Sequence, residues 1–170
     1  INQKDKSLVR NIKEYLAIRC GMQEVYTYPW MNDVFVNAVL QSTDGVLKLS
    51  TPPAPDMSCI RSSLLPNLCE AVAKNERYFN DFSIFEEAQV FFDKNYTNAY
   101  DETESLPEQR RHIGAAFASS VKDIGMLFRE AKGVLEYMPR YTHMEAYEFK
   151  KEENPVWADN VVWLNIYLDD

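Results

Sequence analysis

IRSSLLPNL, residues 60–68, places one arginine in an apolar run, breaks the run with a proline and then enters a helix. Pro66 is tolerated only in a first helical turn, where its missing N–H would have had no partner, so this helix begins near Leu65. Leu65, Leu68, Cys69, Val72 and Phe79 keep helical spacing beyond it. Ser62 and Ser63 lack a G-x-S-x-G context, and a serine ahead of a helix is better placed to cap it than to act as a nucleophile.

Upstream, Leu8, Val9, Ile12, Tyr15 and Leu16 form one stripe of a helix over residues 5–20, capped by Asp5 and ended by Gly21. EVYTYPW (24–30) is β-branched and aromatic with a proline near its end, which predicts a strand stopped at Pro29. A short helix over 32–41, a strand at VLKLS (46–50) and an extended Pro-rich stretch (51–58) follow. Downstream, FSIFEEAQVFF (82–92) suits one strand or a hairpin of two, the polar residues 93–108 form a surface loop, and 110–120 is a strand weakened by its alanines and Gly114. Asp123 caps the clearest amphipathic helix, with Ile124, Leu127, Phe128, Ala131, Val134, Leu135 and Met138 on one face. Strands at 143–149 and 161–168 end the chain. Strands in consecutive groups between helices predict an α+β fold, an antiparallel sheet flanked by helices.

The 170 residues are 46% hydrophobic, enough for one sizeable core, and no run approaches the ~20 apolar residues a bilayer span needs. Twenty-six acidic against 18 basic residues, a net charge of −8, disfavour a nucleic-acid partner for the surface as a whole. Cys20, Cys59 and Cys69 form no C-x-x-C pair, which fits a reducing compartment, the cytoplasm. The five glycines are isolated, so no phosphate cradle exists, and His112 and His143 lack the partners of a zinc site. Glu86 and Glu87 are adjacent and point to opposite faces of a strand, which rules them out as an acid/base pair on one substrate. Trp30, Trp157 and Trp163 have no interleaved basic residues and suit a core or an interface. No catalytic, cofactor-binding or metal residue emerges.

CIRSSLLPNLCEAVAKNERYFNDFSIFEEAQVFF (59–92) resembles the beta chain of phenylalanyl-tRNA synthetase, in the module that repeats the class II synthetase core. The family's L-R-x-S-L-L-P run is matched by Ile60, Arg61, Ser63, Leu64, Leu65 and Pro66. Its N-x-x-R element is matched by Asn75, with Tyr78 at the arginine position, and its F-E-x-G-x-V-F element by Phe85, Glu86, Val90 and Phe91, with Ala88 in place of glycine. LFREAKGVLEYM (127–138) is similar to the F-x-x-x-K-G-x-x-E segment through Phe128, Lys132, Gly133 and Glu136. The likeness covers residues 5–138 and weakens beyond, where Val156 and Trp157 replace the glycine and arginine of a P-G-R-x-A element.

The resemblance implies a single core-like domain over residues 1–170, a fragment of a beta chain cut short of the Gly-rich closing segment. It implies a non-catalytic copy of the core that pairs with the synthetase alpha chain in an assembly of two alpha and two beta chains. Other partners are then the rest of the beta chain and, through the whole complex, tRNA; the isolated fragment is expected to homodimerise through the face meant for the alpha chain. Phe92 stands nearest to the arginine that binds the ATP α-phosphate in a working core, and a phenylalanine cannot make charge-assisted contacts to a triphosphate. ATP and magnesium therefore belong to the parent complex, and no cofactor to this domain. Arg61 is then a structural residue, paired with a carboxylate, Glu86 or Glu87, or with backbone carbonyls. The alternative is a stand-alone adaptor or regulatory paralogue that binds a protein or small ligand with the same fold.

Overall fold

The computed structural model describes residues 3–39, 45–97, 105–151, 153, 155, 158 and 164–168. The chain divides into two compact units: Ile1–Glu24, Glu76–Phe85 and Phe117–Asp170 form the first, Val25–Asn75 and Glu86–Ala116 the second.

In the first unit, helix α1 (Gln3–Glu14) starts ahead of Asp5 and runs into a π-helical turn, Tyr15–Arg19, in which the Cys20 N–H reaches back five residues to the Tyr15 carbonyl. The turn buries Tyr15 and Leu16 side by side, and Gly21, at φ +66°, takes the left-handed conformation that ends the helix. Helix α4 (Ile124–Thr142) packs against α1 and the turn. Its cap is the expected one: Asp123 Oδ1 accepts from the Met126 N–H at 2.8 Å. Strand β1 (Gln23–Glu24) pairs in parallel with the start of β4, Gln23 opposite Ile84 and Glu24 opposite Phe85. Strands β6 (Tyr147–Lys151) and β7 (Leu164–Leu168) pair antiparallel, and Phe149, Leu164 and Ile166 share a small cavity with Phe128 and Leu135 of α4.

In the second unit, β2 (Trp30–Met31) pairs antiparallel with β3 (Cys59–Ile60), helix α2 (Asp33–Val39) follows β2, and α3 (Leu65–Asn75) follows β3. Met31, Val36 and Cys59 form a buried cluster with Val46 against it. Strands β4 (Asp81–Thr97) and β5 (Ser105–Ser119), each with residues in both units, are neighbours in one sheet with order β1-β4-β5.

Several expectations are corrected. EVYTYPW is not one strand, because residues 25–29 leave the ladder between β1 and β2. VLKLS contributes one bridge, Lys48 to Cys59, instead of a strand. Helix α3 stops at Asn75, so Phe79 lies outside it, half exposed. FSIFEEAQVFF is part of one long strand, and residues 93–97 and 105–108, expected as loop, extend β4 and β5, since a paired polar strand needs no apolar alternation. Residues 143–146 precede β6, and Trp157 and residues 161–163 lie outside the described residues. No described helix is long and apolar enough to cross a membrane.

Gly114 of β5 sits under α3. A Cβ built there lies 2.7 Å from Leu68 Cδ1 and 3.2 Å from Leu64 Cβ, both on buried residues. Alanine would gain about 0.5–1 kcal/mol by stiffening the unfolded chain, but overpacking costs about 1–3 kcal/mol. Gly114→Ala is expected to destabilise the chain by about 1 kcal/mol net in urea unfolding, with an unchanged m-value.

Candidate functional site

Among the described residues, a densely bonded polar site lies in the second unit, under the IRSSLL stretch. Arg61 follows β3 and is buried; Glu86, on β4, is 1% exposed. The Arg61 guanidinium donates to Glu86 Oε1 at 3.0 Å, from Nε to the Gln89 carbonyl at 2.8 Å, and from Nη1 to Thr27 Oγ1 at 3.2 Å and the Thr27 carbonyl at 3.4 Å. Thr27 completes the carboxylate: its N–H donates to Glu86 Oε1 at 2.9 Å and its hydroxyl to Oε2 at 2.7 Å. The Arg61 backbone takes part too, its N–H donating to the Pro29 carbonyl and its carbonyl accepting from the Phe91 N–H.

Asn67, in the first turn of α3, fixes the other side of the 25–30 segment. Its Nδ2 donates to the Tyr28 and Trp30 carbonyls, both at 3.1 Å, which sets the amide's orientation, while its buried Oδ1 accepts nothing among the described residues. The carbonyls of Thr27, Tyr28, Pro29 and Trp30 therefore all go to Arg61 or Asn67, which is why residues 27–29 need no partner strand.

The other residues singled out in the sequence are dispersed. Ser63 Oγ accepts from the Leu65 N–H at 3.2 Å and steadies the entry to α3, where Leu64 and Pro66 are buried and Leu65 is half-buried. Asn75 closes α3 by donating to the Ala71 carbonyl. Phe85 is fully buried in the first unit; Lys132 of α4 pairs with Glu136 and stands over the Phe149 ring, and Gly133 follows it. Glu87 points away from Glu86 and pairs with Arg111 at 3.1 Å. Arg61 and Glu86 are thus brought together, and Glu87 is not Arg61's partner. Thr27, Asn67 and the Gln89 carbonyl were missed by sequence reasoning; only the proline that ends EVYTYPW hinted that the strand there is interrupted.

Chemically this is a closed structure. The guanidinium and the carboxylate face each other and each oxygen of Glu86 has a protein donor, so neither group has the freedom a proton shuttle needs. Phe92, farther along β4, lies under the Arg110 guanidinium at 5.3 Å and 6.3 Å from the His112 ring. Arg110 is itself tied to Glu108 at 2.6 Å. Burial and the positive charge of Arg110 lower the pKa of His112 below its ordinary 6.5. Among the described residues no group of three or more His, Cys, Asp or Glu is arranged to hold a metal ion. The three cysteines are free thiols, and burial raises the pKa of Cys69.

The profile of the phenylalanyl tRNA synthetase beta chain CLM domain matches residues 2–168. The phenylalanine–tRNA ligase beta subunit of Brucella abortus (strain 2308) is 32% identical over 114 residues, 66% of this chain and 13% of that protein. Its counterpart in Carboxydothermus hydrogenoformans is 34% identical over 104 residues, 58% of this chain and 12% of that protein. The chain therefore spans a small part of the curated relatives it matches. Among solved structures, a pyrrolysyl tRNA synthetase of Desulfitobacterium hafniense superposes with a TM-score of 0.69 at 14% identity, over 94% of this chain and 53% of that one. A second structure of pyrrolysyl-tRNA synthetase from the same organism gives 0.65 at 14% identity, over 85% and 49%. At such identity the likeness concerns the fold, and it places this α+β architecture with the class II synthetase cores.

Two outcomes are expected. Arg61→Leu leaves a buried carboxylate without its counter-charge and should cost about 3–5 kcal/mol in chemical denaturation, whereas Glu87→Gln, whose partner Arg111 is exposed, should cost no more than about 1 kcal/mol. Because the folded state lowers the pKa of His112, the unfolded chain binds its proton first. Stability should then fall as pH drops below 6.5, and His112→Gln should flatten that part of the Tm-against-pH curve.

Proposed function

The chain belongs to the family of the phenylalanyl tRNA synthetase beta chain CLM domain, and from that premise we propose that residues 1–170 act as one non-catalytic copy of the synthetase core. Its task is to hold the catalytic alpha chain, in an assembly of two alpha and two beta chains, during the phenylalanylation of tRNA in the cytoplasm.

The observation that carries this proposal is the closure of the polar groups where chemistry would need them open. Arg61 and Glu86 satisfy each other and Thr27. Phe92, which the resemblance sets nearest to the arginine that binds the ATP α-phosphate in a working core, is an aromatic ring covered by a guanidinium that Glu108 already holds. These residues do not fit a nucleotide triphosphate, which wants unpaired donors of positive charge. ATP and magnesium are accordingly assigned to the alpha chain, and no step of the reaction runs through this domain. Exposed apolar residues support the assembly role: Ile18 in the π turn of the first unit, and Tyr26 and Tyr28 in the second.

Calorimetric titration of this chain with ATP and magnesium should give no saturable heat, and the immobilised chain should retain the alpha chain from the same organism. Saturable nucleotide binding accompanied by phenylalanine-dependent pyrophosphate exchange would overturn the non-catalytic assignment. Failure to retain the alpha chain would overturn the assembly role.

A further inference from the structure

Within the first unit, a cleft of about 510 Å³ opens between the π turn and α4, walled by Tyr15, Arg19, Gly133, Tyr137, Arg140 and Tyr141. None of these side chains takes part in the Arg61 site, and three features of the cleft agree.

The first is Gly133. A glycine inside a helix destabilises it relative to alanine, and neither backbone nor packing explains this one. Its φ is not positive, and a Cβ built on it would meet nothing within 4 Å. What the glycine leaves is open space beside α4. The second is charge. Arg19 and Arg140 are exposed, no acidic residue lines the cleft, and neither arginine forms an ion pair among the described residues; Arg19 stands over the Tyr141 ring at 5.7 Å. One solvated arginine would mean little, but two of them flank one apolar cleft on a chain of net charge −8. The third is the aromatic wall. The Tyr15 and Tyr141 rings lie 5.3 Å apart at 37°, and the Tyr15 hydroxyl is committed to the Val134 carbonyl at 2.8 Å, which fixes its ring. Burial raises the Tyr15 pKa, so that phenol stays neutral and does not repel an anion. Tyr137 remains 63% exposed, an apolar ring left in water.

We propose that this cleft binds a small aromatic carboxylate, its head group on Arg19 and Arg140 and its ring along the tyrosines in the space beside Gly133. The volume is that of a small-molecule site, and a guanidinium fork matches a planar carboxylate with two parallel hydrogen bonds.

The test compares two probes that share a ring and differ in charge, indole-3-acetate and tryptamine, titrated into this chain by calorimetry at low ionic strength. Indole-3-acetate is expected to saturate and tryptamine not to bind. Arg140→Gln should weaken indole-3-acetate about tenfold, the usual scale of a hydrogen bond to a charged group. Gly133→Leu should abolish binding while holding or raising Tm, because leucine is the better helix former and its side chain enters empty space. That variant separates loss of the site from loss of the fold. Equal binding of the two probes, no saturable binding of the acetate, or undiminished binding by a folded Gly133→Leu variant would overturn the proposal. So would binding of an acidic, tyrosine-containing peptide when the acetate fails, which would make the cleft a protein contact.

Discussion

A guanidinium removed from water must find acceptors for nearly all its donors, and that requirement organises the second unit. Arg61 answers it through Nε and Nη1, which draw on Thr27, Glu86 and Gln89, while its own backbone bonds Pro29 and Phe91. Three stretches distant in sequence, 27–29, 61 and 86–91, are thereby tied at one residue. The packing around them follows from that knot. Glu86 can be buried on β4 because Arg61 and Thr27 supply its donors, and residues 27–29 can leave the sheet because Arg61 and Asn67 take up their carbonyls.

The same requirement makes α3 a positioning element rather than a filler. Pro66 and Ser63 fix where the helix starts, and that start sets Asn67 against the Tyr28 and Trp30 carbonyls and Leu68 over Gly114. A helix beginning one residue later would rotate Asn67 by about 100° away from those carbonyls, so the proline that ends the IRSSLL run decides a contact almost forty residues upstream.

Periodicity made α1, α3 and α4 legible, because an apolar stripe at helical spacing has one economical burial, and the Asp123 cap could be read from its place before the stripe. Alternation separated Glu86 from Glu87, but it could not say which one Arg61 would meet: the register of β4 decides that, and register is a long-range property. EVYTYPW failed for a related reason. Its composition is that of a strand, yet strand propensity measures fit to a half-buried pleated surface, and here side chains from elsewhere satisfy the backbone instead. The polar ends of β4 and β5 carry no alternation, so a long ribbon looked like a loop. The Tyr15–Gly133 cleft was illegible because a π turn shifts side-chain direction by a fraction of a turn that no sequence period records.

Stability alone accounts for a buried ion pair such as Arg61–Glu86. Well-packed apolar residues in place of both Arg61 and Glu86 need not be less stable, since the attraction of a buried pair roughly offsets its loss of hydration. The two intermediates are another matter. Either single replacement leaves one charge buried opposite an apolar group, and Thr27, which serves both partners, would lose a donor or an acceptor as well. The pair is therefore held in place by the steps that would remove it, whatever the comparison of the endpoints. An inventory of charged residues in such a core therefore says little about catalysis until the partners of each charge are known, as they are for Nε and Nη1 of Arg61.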